Sequence, residues 1–334
     1  MPENTSVITK RIVLYNHKGG VGKTIITANL AYMLAQKGKK VLIVDSDPQT
    51  NISAYFLEEN VLDNYLDNSD NDSGRTIWSA VRPIVQAEGD INIIEPLETN
   101  QENLFIIPGD IRLSEFEIKL TDYWRECFER KITGYRGTNA LSNLITNISS
   151  SGNFHYVLYD VGPNIGPLNR SVLLDCDYFI IPAASDLFSK RALKTLGVTL
   201  SRWISDWQVI LSLAPQNIDM MLGFPRYLGY LPQGYKIYRG VISSPASSYV
   251  SQIERDISEH VLTLLREINE NLAPSTSTGS RIGEIKDFTQ IVALGQQEGV
   301  PIWEVTKGTP SQKTMAKEAF GILANNIIEK TSQA

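Results

Sequence analysis

The stretch Asn16-His17-Lys18-Gly19-Gly20-Val21-Gly22-Lys23-Thr24 follows the apolar run 12–15 and leads straight into the helical pattern of residues 25–37. A strand, a glycine-rich turn ending in Gly-Lys-Thr, and a helix form an arrangement suited to holding phosphate. The glycines let backbone N–H groups turn toward phosphate oxygens at the positive end of the helix. Lys23 adds a point charge, and the Thr24 hydroxyl can coordinate Mg²⁺. Residues Lys18, Gly19, Gly20, Val21, Gly22, Lys23, Thr24 and Ile25 are therefore the expected nucleotide contacts. The strict pattern asks for a glycine five residues before Gly22, where His17 stands, and Lys18 is a second lysine in the same loop.

Short apolar runs at 12–15, 41–44, 104–107, 156–159, 178–182 and 300–304 alternate with helical patterns. Runs buried on both faces and separated by helices read as a parallel sheet with crossover helices. The expectation is an α/β, doubly wound, mainly parallel sheet flanked by helices. It forms one domain across residues 1–334, with a helical and loop insertion between about 55 and 150. The polar stretch 63–74 predicts a mobile loop, 271–281 a flexible connection between helices, and 228–238 a further strand region. No internal repeat is visible.

Strand ends in such a sheet gather ligands. Asp160 closes the apolar run before it and is placed to hold Mg²⁺ through a water, while Asp45 closes another and is expected to support Thr24 and the metal shell. Asp47 follows two residues later in an Asp-Ser-Asp-Pro turn.

Composition narrows the function. With 42% apolar and 20% charged residues the chain can bury a sizeable core. Cys127 and Cys176 lie far apart and outside any CxxC, which argues against a disulfide framework or a cysteine-built metal site. The N-terminal residues lack a signal-peptide apolar core, and no run reaches the length of a membrane span, so a cytoplasmic setting is expected. The net charge of −6 is unevenly spread. Residues 51–110 hold 12 of the 37 acidic residues and only Arg75 and Arg82. Residues 188–240 carry seven Lys and Arg against Asp206 and Asp219. That half can offer a basic face to a phosphate backbone.

The string KGGVGKT, with Lys18 as the added lysine, resembles the deviant Walker A motif of the ParA/MinD family of P-loop ATPases. VLIVDSDPQTN (41–51) resembles that family's second motif, and HYVLYDVGPNIG (155–166) its Walker B segment. The likeness extends to 104–117, 182–197 and 299–305 in the expected order, and is greatest toward ParA partition ATPases. It implies ATP and Mg²⁺ as cofactors and a homodimer with ATP between two copies, Lys18 reaching the partner's nucleotide. It also implies Lys18, Lys23 and Asp47 as catalytic residues, with Asp47 positioning water, and Thr24, Asp45 and Asp160 around the metal. Partition ATPases bind DNA non-specifically in the ATP state, on the nucleoid, and are reset by a ParB-like or cargo-adaptor protein. Lys190, Arg191, Lys194, Lys307, Lys313 and Lys317 are the candidate DNA contacts. With the loop starting at residue 18, no N-terminal helix-turn-helix domain is expected. A ParA-like positioning ATPase for a non-DNA cargo and a MinD-like membrane-associated ATPase stay open as alternatives. Two departures stand out. Ile25 replaces the Thr or Ser that contacts the α-phosphate in this family, and Val161-Gly162-Pro163 replaces Thr-Pro-Pro.

Overall fold

The computed structural model describes residues 7–184, 189–233, 237–238, 241–242, 244–273, 281–286 and 288–332. Its main sheet comprises β1 (Lys10–Leu14), β2 (Val41–Asp45), β3 (Leu97–Glu98), β4 (Leu104–Ile107), β5 (Tyr156–Asp160), β6 (Tyr178–Ala184) and β7 (Arg226–Gln233). They lie in the order β3-β4-β2-β5-β1-β6-β7, all parallel except the short edge strand β3. A separate hairpin joins β8 (Ile237–Tyr238) to β9 (Val241–Ile242). The helices are α1 (Lys23–Gln36), α2 (Ser53–Phe56), α3 (Glu59–Asp67), α4 (Ile77–Val85), α5 (Leu113–Phe128) and α6 (Ile132–Gly152). They continue with α7 (Pro167–Asp175), α8 (Ser189–Leu213), α9 (Ser244–Ile257), α10 (Thr263–Ile268), α11 (Thr289–Glu298) and α12 (Pro310–Ser332). None of the described helices is long and apolar enough to cross a membrane.

Each central strand is apolar on both faces because both faces are covered. In β1, Ile12 and Leu14 join the core under α1, α11 and α12, while Val13 packs on the opposite side with α4 to α8. α1 is apolar around most of its circumference and correspondingly buried between the sheet and α12. The order of crossovers reverses at β1, whose neighbours are β5 and β6. The glycine loop leaves the C-terminal end of this strand, at the switch point where such sheets open a crevice.

Two expectations fail. Residues 300–304 form a turn, not a strand: Pro301 has no N–H to give a ladder, and Glu304 N–H closes on the Pro301 carbonyl at 2.8 Å. The apolar run is buried because Ile302 and Trp303 fill the core and Ile302 N–H donates to Asn29 Oδ1 at 2.9 Å. The stretch 63–74 is no loose loop. Its first part belongs to α3, and the remainder is fastened by Asp70, which accepts from Trp78 Nε1 at 3.0 Å and pairs with Arg112. The Arg112 guanidinium in turn lies 4.4 Å from the centre of the Trp78 ring. Most of the expected connection at 271–281 lies outside the described residues.

Arg112 is thus the clasp of the acidic segment, through one ion pair and one cation–π contact. Arg112→Ala should speed limited proteolysis at residues 68–75 about fivefold, the effect of about 1 kcal/mol in a local opening equilibrium. Unchanged cleavage there would show that the segment is held by other contacts.

Candidate nucleotide site

The loop between β1 and α1 starts from buried Asn16. Its Nδ2 donates to the Pro182 carbonyl of β6 at 2.8 Å, and its Oδ1 accepts the Lys18 N–H at 3.0 Å. Gly20 and Gly22 take left-handed backbone conformations, φ 72° and 68°, which a residue with a Cβ adopts only under strain. Gly22 begins α1 without a side-chain cap, so the first N–H groups of the helix face the crevice. Lys23 is buried, and its Nζ donates to the carbonyls of Asn16 at 2.9 Å and Lys18 at 3.4 Å. Burial pulls its pKa down, an effect partly offset by Asp160 and Asp47.

Asp45 and Asp160 are register partners at the ends of β2 and β5. Asp45 is fully buried. One of its oxygens accepts from Asp47 N–H at 3.1 Å, the other from the Ser53 N–H at 3.1 Å and hydroxyl at 2.5 Å. This carboxylate therefore ties the Asp47 turn to α2, rather than engaging Thr24 as expected. Burial pushes it up to about 7. Asp160 differs: both its oxygens are buried and without a hydrogen-bond partner among the described residues. Its pKa stands well above the carboxylate range through burial, then through the charge of Asp45. The Thr24 hydroxyl approaches it closely enough to oppose that rise, without completing a hydrogen bond of ordinary geometry. Asp47 is buried beside them and accepts the Gln49 N–H at 3.1 Å.

The segment 162–166 after Asp160 closes one wall. A Cβ added at Gly162 would stand 3.2 Å from Asp47 Oδ1, one at Gly19 would be 3.8 Å from Pro163, and one at Gly166 would collide with Glu117 of α5. Asn169 of α7 fastens the segment, donating to the carbonyls of Gly162 at 2.8 Å and Asn164 at 3.0 Å. Glu117 accepts the Leu168 N–H, and burial raises its pKa.

These residues fit a Mg²⁺-nucleotide. A loop of helix-end N–H groups, an ammonium bonded to backbone carbonyls, and a buried carboxylate whose two oxygens are unused among the described residues supply the charges such a ligand needs. Among the described residues no group of three or more acidic, histidine or cysteine side chains forms a cage for a metal by itself. Mg²⁺ is commonly bound by one or two carboxylates with phosphates and water. Asp160 and Thr24 could hold it here.

The candidate DNA contacts do not come together on one element. Lys190, Arg191 and Lys194 project from α8 on one side of the sheet. Lys313 and Lys317 belong to α12 on the other, with Lys307 just before it. Lys190 lies 3.7 Å from Asp256, and Lys313 donates to the Val305 carbonyl. Arg191 lines a small cavity of about 230 Å³ with His17, Lys18, Ala192 and Thr195.

Asn16, Ser53, Gly109, Glu117 and Gln233 shape the site but escape a reading of motifs. Gly109, for instance, has no room for a side chain, since its Cβ would fall 2.7 Å from Asp45 Cγ. The sequence signal is slight: Gly109 is a small residue just beyond the end of β4, and Ser53 a small residue at the start of α2.

Fold and site together define a phosphate-binding α/β nucleotide domain. The profile of the AAA domain family matches residues 9–212. The chain is 30% identical over 193 residues to the sporulation initiation inhibitor protein Soj of Bacillus subtilis, covering 56% of this chain and 63% of Soj. It is 30% identical over 206 residues to the chromosome-partitioning ATPase Soj of Treponema pallidum, 61% of this chain and 68% of that protein. It is also 32% identical over 178 residues to an uncharacterised protein of Methanocaldococcus jannaschii, 53% of this chain and 60% of that one. The alignments thus span about 60% of the length of several curated relatives. Among solved structures, a Corynebacterium diphtheriae protein superposes with a TM-score of 0.71 at 23% identity, over 96% of this chain and 98% of that one. The cell division ATPase MinD of Pyrococcus furiosus gives 0.57 at 17% identity, over 96% and 99%. The chain belongs to the ParA/MinD family of P-loop ATPases.

The native pKa values of Asp45 and Asp160 lie above the unfolded range near 4. Their contribution to stability is therefore full below about pH 4 and is lost as pH rises, for Asp45 through about 7. Ligand-free protein should weaken across that window. At pH 8 Asp160→Asn should be more stable than wild type by about 1–3 kcal/mol, yet gain less from Mg²⁺ with ADP. Urea unfolding with and without that ligand measures both effects, and a less stable ligand-free variant would contradict the buried-charge account.

Proposed function

We propose that the protein is a Mg²⁺-dependent ATPase that dimerises around ATP, binds duplex DNA without sequence preference in that state, and is reset by hydrolysis. A ParB-like or cargo-adaptor partner stimulates the reset, and the cycle segregates plasmid or chromosomal DNA. One observation carries the reading: the loop's two lysines have different surroundings. Lys23 is buried in its own chain's site, while Lys18 lines a cavity beside α8. A triphosphate sequestered from water needs cations from more than one direction. Lys18 is the group that a second copy would present to the nucleotide.

Within one chain, Lys23 and the helix-end N–H groups neutralise the phosphates. Asp160 and Thr24 would hold the metal, which would supply positive charge to offset that on the phosphates. Asp47 orients the attacking water; phosphoryl transfer depends on placement more than on a strong base. Asp45 keeps the Asp47 turn in place through Ser53. The similarity to chromosome-partitioning relatives supports DNA as cargo.

Light scattering with Mg²⁺ and ATP should show a dimer for wild type and a monomer or a far weaker dimer for Lys18→Ala. Equal dimerisation would remove the cross-subunit role. Asp47→Ala should retain the dimer while turnover falls by roughly 100-fold or more; near-normal turnover would reject its assignment.

DNA binding should require ATP. Lys194→Glu should flatten the slope of log affinity against log salt by about 0.9 for each phosphate no longer neutralised, equally on unrelated duplexes. An ATP dimer that binds no duplex at low salt would shift the cargo from DNA to a protein assembly.

A further inference from the structure

The direction in which a nucleotide must lie follows from the sheet. Asp45, Asp47 and Asp160 stand at or just beyond the ends of β2 and β5, all on one side of β1. The terminal phosphate, which needs the metal and the water-orienting carboxylate, belongs there. The α-phosphate and nucleoside then extend toward the other side, over β6 and β7. On that side Ile25 has no hydroxyl to offer, and its side chain packs on the core beneath α1.

Gln233 is the last residue of β7. Its backbone is fixed from both sides, by register with Ala184 of β6 and by a bridge to Ile285, whose N–H donates to the Pro232 carbonyl at 3.2 Å. The side chain lies against the glycine loop: a Cβ built at Gly22 would fall 2.6 Å from Gln233 Oε1 and 3.6 Å from Nε2. The Nε2 group is buried and has no hydrogen-bond partner among the described residues. A buried amide donor left unsatisfied costs about 1–3 kcal/mol. A functional partner that completes it is one reason for such a group to be retained. Here it borders the first residue of the phosphate loop's helix.

We propose that Gln233 is a nucleotide-binding residue whose Nε2 donates to the α-phosphate of a nucleoside di- or triphosphate. It supplies from β7 the side-chain hydrogen bond that Ile25 cannot supply from α1. The inference rests on the nucleotide-site reading above. Gly22 is part of the same device, because a side chain there would displace the Gln233 amide as well as strain the loop.

Calorimetric titration of ADP, ATP and GDP, each with Mg²⁺, into wild type, Gln233→Leu, Ile25→Thr and the double variant tests the hydrogen bond without reference to hydrolysis. Gln233→Leu should weaken ADP and ATP alike by about tenfold or more, as for removal of a hydrogen bond to a charged group. Its preference for ADP over GDP should match wild type, and Ile25→Thr should restore part of the affinity in the double variant. Since the substitution removes an unsatisfied amide, the ligand-free melting temperature should hold or rise. Wild-type ADP affinity in Gln233→Leu overturns the proposal. So does a weakening confined to ATP, which would place the amide at the γ-phosphate, or a collapsed ADP/GDP preference, which would make Gln233 a reader of the base. A lowered ligand-free melting temperature together with abolished binding would overturn it in favour of a packing role. If wild type binds none of the three nucleotides, the nucleotide-site reading falls and this hydrogen bond with it.

Discussion

Two carboxylates buried side by side at the ends of adjacent strands are the constraint around which the site is arranged. Parallel register sets Asp45 beside Asp160, and like charges in a poorly solvated place repel strongly. The surroundings divide the burden unequally. Ser53 and the Asp47 N–H satisfy Asp45, while Asp160 keeps both oxygens unused. Space is given up for this arrangement: Gly109 and Gly162 bring bare backbone against Asp45 and Asp47 respectively. A bound divalent cation would invert the electrostatics, setting attraction against the mutual repulsion of the carboxylates.

The parts legible in the sequence are those encoded locally. The strands β1, β2, β4 and β5 show as apolar runs because both their faces are buried, and the glycine loop shows because positive φ demands glycine at Gly20 and Gly22. Asp45, Asp47 and Asp160 could be singled out from their positions after strand ends. Failures come from interactions between distant segments. Residues 300–304 carry a strand's composition, but Pro301 and the hydrogen bond from Ile302 to Asn29 make them a turn. The polarity of 63–74 suggests mobility, whereas Arg112, some forty residues on, fastens Asp70. Gln233 meets Gly22 across more than two hundred residues, so no window of sequence could join them.

Charge is unevenly spread along the sequence. The acidic stretch 51–110 includes the edge strand β3 and its neighbour β4, and the basic stretch 188–240 includes β7 at the opposite edge. The helices α9 and α10, which pack on α8, bring Glu254, Asp256 and Glu267 to the basic side. The split of the basic candidates between α8 and α12 means that any phosphate surface draws on layers from both sides of the sheet.

The segment 162–166 has little room for a side chain at two points, Gly162 beside Asp47 and Gly166 beside Glu117 of α5. Asn169 pins it to α7 in the same few residues. The ends of the segment are enclosed and its middle is not: Gly162 and Gly166 sit against Asp47 and Glu117, while residues 163–165 between them are exposed. A side chain added at either end would shift the wall of the crevice, whereas one exchanged in the middle has solvent to turn into.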